Sequence, residues 1–463
     1  DSHLRYGENY HVNVWDSSLH FDHQRGLAGA IEQCNGQGVC RKLAPGGGEG
    51  ISGVMCPSFQ ATREEANSTR GRANLLRALV TSPVSIENQK SEIVNSVYSA
   101  LDLCLACKGC TSECPSGVDM PRLKYEFMNE YYKSHRRPLH DYLFGYFHVV
   151  SKWLTPVAPL ANALMKMDWS RKLIARVMGI TDQRAFPVFA SKKVDRYTST
   201  QVNNKAVIFL SDVFSRYLEP EVEQAAFDIL NALGYDVKVL PMIGAGASFL
   251  SKGFISQARD HAGKVLDAIQ ALDGGAGWSV VGCEPPEVYC LKHEYIALLP
   301  ERRAEIESIT RNVWLVDEFL VRTLESDGAK APLSKKLREQ APALQKIIFH
   351  PHCHQRAEGL ADDGLPSGTS ATVEMLRRFG FEVDLIDAGC CGMAGTFGYD
   401  AEHYELSMQI GELGVLPKFR EQRLENRDWS VTSTGSACRM QIKHGIGIEA
   451  KHPLELVRDV LLK

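Results

Sequence analysis

The sequence predicts a small helical domain built around cysteines, followed by two α/β lobes related by duplication. Three observations predict this. Seven of the 13 cysteines fall between Cys34 and Cys114, too local for a fold-wide disulfide framework and too uneven for chance. After Lys205, short continuous apolar runs alternate with helix-like stretches, the rhythm of parallel βαβ units. That rhythm then occurs a second time, in the same order and at the same spacing.

With 463 residues the chain is about three times the length of a common single domain, so one compact core is excluded. A composition of 44% hydrophobic and 23% charged residues is that of a globular protein with a buried core. Lys and Arg number 52 against 56 Asp and Glu, a formal net charge of -4, which argues against a nucleic-acid partner. No secretory leader opens the chain, and Asp1 in place of Met marks a fragment or trimmed chain. Cysteines in C-x2-C and vicinal pairs point to reduced thiolates holding metal in the cytoplasm.

Taken in order, residues 1–135 form the helical unit. A helix begins at Ser68 or Thr69, with an apolar stripe through Leu75, Leu76 and Leu79, and another covers Ser91 to Leu103. Between Cys40 and Cys56 lies a glycine-rich surface loop. Residues 136–204, amphipathic and punctuated by proline, read as a helical connector that packs between domains as a hairpin. Its most apolar stretch, Tyr142 to Met165, holds His148, Lys152 and two prolines and fails as a spanning helix of about 20 apolar residues; at most it lies on a membrane. The first lobe, 205–345, runs AVIFLSD, EPEVEQAAFDILNALG, YDVKVLPM, and the second, 346–463, runs KIIFHPHC, ATVEMLRRFG, FEVDLIDAGCCG. WSVVGCEPPE in the first is answered by WSVTSTGSAC in the second.

Cys104-x2-Cys107-x2-Cys110-x3-Cys114-Pro115 has the spacing of a bacterial ferredoxin, in which three cysteines hold one [4Fe–4S] cubane and the fourth reaches another cluster. Upstream, Cys34-x5-Cys40 and Cys56-Pro57 form a second run with its middle cysteine replaced, Gln37 standing three residues after Cys34. By the exchange rule, Cys56 completes the site of Cys104, Cys107 and Cys110, while Cys114 joins Cys34 and Cys40. This second site is one thiolate short and is a [3Fe–4S] cluster, a cubane with another ligand, or empty. In the second lobe Cys353, Cys390, Cys391 and Cys438 end three successive predicted strands, where open α/β sheets bind ligands, and suit an iron–sulfur cluster or zinc, with His352 and His354 nearby. The first lobe has lost its cysteines: Val213, the turn Gly244 to Ser248 and Glu284-Pro285-Pro286-Glu287 stand in their places, and Cys283 and Cys290 read as core.

These motifs carry a resemblance. Cys34-Asn35-Gly36, MCPSFQATREEANSTRGRAN from Met55 and LDLCLACKGCTSECPSGVDM from Leu101 resemble the C-terminal iron–sulfur half of large FAD-linked D-2-hydroxyacid dehydrogenases of the D-2-hydroxyglutarate and D-lactate type, and LRYGENY resembles the junction after their flavin part. HPHCHQR, DAGCCGMAGTFGY and GSACRMQIKHG resemble the CCG domain of glycolate oxidase iron–sulfur subunits, anaerobic glycerol-3-phosphate dehydrogenase small subunits and heterodisulfide reductases. The resemblance implies an α-helical ferredoxin domain followed by two duplicated α/β CCG-type lobes. It implies FAD on a separate or upstream half, oxidation of a D-2-hydroxyacid there, and electrons leaving through this chain to a quinone or soluble carrier, at the inner face of a membrane or free in the cytoplasm. Arg439, Met440 and Gln441 follow Cys438 where heterodisulfide reductases place a further C-x2-C, so disulfide chemistry does not carry over. The alternatives are a separate electron-transfer subunit of a glycolate or glycerol-3-phosphate dehydrogenase complex, a heterodisulfide-reductase-like protein, and a zinc-stabilised scaffold.

Overall fold

Ser68 starts the first helix of more than two turns in the cysteine-bearing region. Its hydroxyl accepts from the Gly71 amide and caps the helix Thr69–Val80, which buries Ala73, Leu76, Leu79 and Val80. The helix Glu92–Asp102, inside the span predicted for it, buries Val94, Val97, Ala100 and Leu101 against it. Asp119 caps Met120–Ser134, whose first turn carries Pro121. The computed structural model describes residues 11–13, 15–43, 53–82, 91–191, 205–326, 345–425 and 428–462. The LRYGENY stretch and most of the glycine-rich loop lie outside them.

The connector is four short helices, Leu139–Gly145, Phe147–Leu154, Ala158–Lys166 and Asp168–Met178. Pro159 stands in the first turn of the third, and Gly179, at φ 73°, ends the fourth. Among the described residues no helix is long and apolar enough to cross a membrane.

Two parallel sheets follow. The first contains β1 (Ala206–Leu210), β2 (Asp236–Val239), β3 (Val280–Gly282) and β4 (Val313–Leu315) in the order β2-β1-β3-β4. The second contains β5 (Gln345–His350), β6 (Phe381–Leu385) and β7 (Ser430–Ser433) in the order β6-β5-β7. In both, the first strand in sequence lies at the centre between the second and third. The apolar run predicted as a strand through Asp212 stops at Leu210, because the Asp212 carboxylate accepts from Phe214 N and Ser215 N and starts the helix Val213–Tyr217. The strand β4 has no counterpart in the second sheet. A shared core of Val207, Phe209, Leu230, Ile347, Met375 and Val457 joins the lobes, with the C-terminal helix Pro453–Leu461 lying on the helix Pro220–Ala232 of the first.

Candidate metal centres

The first centre is assembled from two stretches of chain. Glu113, ending the helix Gly109–Glu113, accepts from Val54 N at 2.6 Å and Met55 N at 3.2 Å and pairs with Lys42 Nζ at 2.9 Å. It pins the segment leading to Cys56 against the helix that carries Cys110. Ala106 and Lys108 hold left-handed backbone, φ 51° and 61°, unusual for residues with a Cβ. These reversals turn the run Cys104–Cys110 back on itself.

Arg72 supplies the charge. It is 1% exposed, and its guanidinium donates to Ala100 O at 2.7 Å, Ser58 Oγ at 2.8 Å and Cys56 Sγ at 3.2 Å. Burial opposes its charge, yet the Cys104, Cys56 and Cys110 sulfurs outweigh burial and hold its pKa above the ordinary range. A buried cation is costly unless an anion faces it; here the facing groups are sulfurs. Lys124, also buried, donates to Cys104 O at 2.7 Å. Burial pushes the Cys107 and Cys110 thiols well up, with Cys353 the next influence on Cys107 and Asp119 on Cys110. Such thiols are neutral until a metal displaces their protons.

Cys34 and Cys40 lie beside this group. The Arg70 amide donates to Cys40 Sγ at 3.3 Å, its guanidinium to Gly36 O at 3.2 Å, and Arg77 donates to Cys34 O at 3.2 Å. Burial raises the Cys40 thiol, and Cys56 and Cys34 add to the rise. Cys114 is half-buried at the end of Gly109–Glu113, against the same core.

The second lobe gathers its four cysteines beyond the carboxyl ends of its strands. His352 Nδ1 accepts from His354 N at 3.1 Å and caps the helix Cys353–Ala357, which places Cys353 in its first turn. Cys390 and Cys391 sit in the loop after β6, and Cys438 in the first turn of Ser436–Ile446. Gly392, at φ 87°, lies so close to Ser407 O that an added Cβ would stand 2.2 Å from it, so only glycine lets the loop approach. The Gly392 amide donates to Cys390 Sγ at 3.3 Å. The thiols form a row, Cys353 to Cys390 to Cys391 to Cys438. The neighbouring Cys390, then Cys438, hold the Cys391 thiol far below the usual range, while both neighbours are themselves pushed up. No three sulfurs among the described residues lie within 4.8 Å of one another. His350, His352 and His354 are kept neutral by burial, His354 at about 4. His354 Nε2 donates to Ala106 O at 3.0 Å, tying the second lobe to the cysteine run.

A cavity of about 130 Å³ between the lobes brings these parts together, walled by Cys107 and Lys108, by the four second-lobe cysteines and by Glu284 and Glu287 of the first lobe. In the first lobe the corresponding turn is filled. Glu287 Oε2 accepts from Ala245 N at 2.5 Å and Ala247 N at 3.3 Å, inside a turn shaped by Gly244 and Gly246, both at positive φ. Burial raises the Glu287 carboxyl to about 7, against the amides that lower it. Cys290 Sγ donates to Ala245 O at 3.6 Å, and burial pushes both the Cys283 and Cys290 thiols well up.

Sequence reasoning missed Arg72, Lys124, Glu113 and His350. Arg72 was legible in part, since it lies four residues before Leu76 and seven before Leu79, on the apolar stripe of its helix. Residues 30–118 match the family described as a 4Fe-4S dicluster domain. The chain is 27% identical over 478 residues to a D-2-hydroxyglutarate dehydrogenase of Escherichia coli, covering 94% of this chain and 44% of that protein. It is 26% identical over 337 residues to a subunit of the anaerobic glycerol-3-phosphate dehydrogenase of the same organism, 71% of this chain and 79% of that one. Against the E. coli glycolate oxidase iron-sulfur subunit it is 23% identical over 414 residues, 86% and 91% of the two. The chain spans less than half the length of the D-2-hydroxyglutarate dehydrogenases it matches. No solved structure matches. The chain carries a dicluster domain and is homologous to these proteins, as its motifs led us to expect.

Proposed function

We propose that this chain is the iron–sulfur electron-transfer part of an FAD-linked D-2-hydroxyacid dehydrogenase acting on D-2-hydroxyglutarate or D-lactate. The observation that carries the reading is that one cavity is walled by Cys107 of the cysteine run and by Cys353, Cys390, Cys391 and Cys438 of the second lobe, while the buried Arg72 guanidinium donates to Cys56 Sγ and the Arg70 amide to Cys40 Sγ. In this reading 1–135 is the cluster domain, 136–204 the connector, and 205–345 and 346–463 two duplicated CCG lobes, supported by the common strand order. Cys56, Cys104, Cys107 and Cys110 would hold a [4Fe–4S] cluster, and Cys34, Cys40 and Cys114 a second site lacking one thiolate.

The donor chemistry fits. Four thiolates with bound iron, three of them buried and Cys107 half-buried, are anionic, and Arg72 is a buried cation beside them whose hydrogen bonds go to no carboxylate among the described residues. In the second lobe the row is open, whereas sulfurs around one tetrahedral zinc stand about 3.8 Å apart, as Zn–S bonds of about 2.3 Å require; a multinuclear iron–sulfur site suits it better. Bound clusters supply one-electron transfer between the flavin half and an acceptor. The chain's own part is to exclude water, fix the sulfurs and offset their charge.

The glycolate oxidase iron-sulfur subunit, matched over 91% of its length, favours a second reading in which this chain is a separate subunit rather than half of a fused protein. Anaerobically prepared protein is expected to contain iron and sulfide and to give an EPR signal on reduction; zinc without iron, or a folded iron-free protein, overturns the assignment. Cys104→Ser is expected to remove more of the signal than Cys34→Ser, and equal losses would argue for two ordinary cubanes.

A further inference from the structure

The two candidate cluster sites differ in how the cations around them are neutralised. Beside Cys34 and Cys40, Arg70 Nε and Arg41 Nε lie 2.7 and 2.8 Å from the two Glu65 oxygens, and Arg77 Nε lies 2.8 Å from Glu32. Beside Cys107 and Cys110, the buried Lys108 ammonium lies 3.0 Å from Asp119 and 2.5 Å from Glu294, and Arg122 lies 3.2 Å from the same Glu294. Two cations there meet two anions. Lys124 and Arg72 are different. Lys124 donates to the backbone carbonyls of Asp102 and Cys104 at 3.1 and 2.7 Å, and burial loosens its hold on its proton. The Arg72 guanidinium, which keeps its proton in any protein, donates to Cys56 Sγ, Ser58 Oγ and Ala100 O. Ser58 gives its own hydroxyl proton to Asn67 O at 3.0 Å, so its oxygen is free to accept. Among the described residues Arg72 pairs with no carboxylate.

A charge held away from water is weakly screened and acts more strongly than one at the surface. When a bound cluster takes one electron from a reduced flavin, no proton moves and the site becomes more negative by one charge. A fixed cation beside it stabilises the reduced state more than the oxidised one, and a charge-assisted bond to a ligating sulfur adds to the difference. Neutral donors would tie the same pieces of chain, Ser58 in Pro57–Thr62 and Ala100 in Glu92–Asp102, at a lower cost of burial. The charge itself is what a purely structural role leaves without a reason.

We propose that Arg72 is a positioning residue for the electron: acting through Cys56 Sγ, its fixed charge raises the reduction potential of the cluster held by Cys56, Cys104, Cys107 and Cys110. This rests on the electron-transfer reading above and names the group that poises one of its sites. The site of Cys34, Cys40 and Cys114 receives no such help, because Glu65 and Glu32 neutralise the cations beside it. Part of the difference between the two sites is thus built into the protein, apart from the number of thiolates each offers.

The test is a redox titration of the full chain, prepared anaerobically and followed by EPR, with the signal of this cluster identified as the one that Cys104→Ser removes. Arg72→Gln, which keeps a donor and loses the charge, is expected to lower the equilibrium constant for reduction about tenfold or more, a fall in midpoint of about 59 mV for one electron. Arg72→Met serves if the glutamine variant does not fold. Arg72→Lys keeps the charge and is expected to stay within about threefold of the unmutated protein. Arg41→Gln, which removes a cation that Glu65 already neutralises, is expected to stay within the same range. A midpoint that does not move in the neutral variants overturns the proposal. So does an equal fall in Arg72→Lys, because the effect would then follow the shape of the side chain and not its charge. Iron and sulfide content and the reduced EPR signal of the unmutated protein, read on the same samples, separate these outcomes from failure of the electron-transfer reading.

Discussion

The two lobes build the same frame and fill it with opposite chemistry. In each, three loops emerge beyond the carboxyl ends of a parallel sheet whose first strand is central. In the second lobe those loops present Cys353, the Cys390–Cys391 pair and Cys438, with the Cys391 thiol lowered by its neighbours, a soft anionic donor set that a metal would satisfy. In the first, the Glu287 carboxyl sits in the Gly244–Ser248 turn and takes the amides of Ala245 and Ala247 for itself. One frame thus serves as an open donor site or as a closed hydrogen-bonded plug, and the choice lies in a few loop residues. The strand order does not reveal which was made.

The largest effect that could break this contrast concerns metal content. Cys391→Ser is expected to abolish metal binding in the second lobe, since Cys391 shares a cavity wall with Cys353, Cys390 and Cys438 and is the thiol its neighbours hold low, and to leave the signal of the Cys104–Cys110 run intact. Cys283→Ser is expected to leave all metal in place. Elemental analysis and EPR on the two variants decide it; metal lost from the Cys283 variant would show that the first lobe is not a plug.

A smaller effect separates the lobes by pH. Burial raises the Glu287 carboxyl to about 7, so the native protein keeps this proton where the unfolded chain has released it. Stability from this group is full below the ordinary glutamate range near 4.3 and is lost as pH rises through about 7. Between pH 5 and 8 the loss is at most roughly 3 kcal/mol. Glu287→Gln cannot titrate, and its unfolding midpoint is expected to fall less than the unmutated protein's as pH rises across that window. Parallel curves would mean that the carboxyl is not held in the turn.

How much of this was legible in the sequence depended on whether a feature is local. The run Cys104–Cys114 announces itself through spacing, and Ser68 through the capping preference of its hydroxyl. That the first lobe offers no cysteines at the corresponding loops is visible once the stretches 205–345 and 346–463 are set side by side. What replaced them is not: that Glu287 reaches back 42 positions to the Ala245 amide depends on the fold bringing β3 and the turn after β2 together. Arg72 was hidden for a related reason, because a basic residue on a helix is ordinarily solvated, and its burial becomes sensible only when the sulfurs of Cys56 and Cys104, distant in sequence, surround it. The strand β4 is three residues long, too short for any periodicity to show.

The smallest effect sharpens the contrast from the other side. Cys290 is 3% exposed, and among the described residues its thiol makes one hydrogen bond, a long one to Ala245 O, a carbonyl of the very turn that Glu287 fills. Ala245 O also accepts from the Tyr295 hydroxyl at 2.9 Å, so the carbonyl stays satisfied if the thiol is removed. Cys290→Ala therefore costs the buried sulfur's contacts and a small void, on the order of 1 kcal/mol, and no orphaned acceptor. The expected outcome is a slightly lowered unfolding midpoint with metal content and reduced EPR signal unchanged. Alanine at Cys390, equally buried, is expected to cost metal as well. If the two alanine variants lose the same small amount of stability and neither loses metal, the second lobe is as inert as the first, and the difference between them is one of sequence alone.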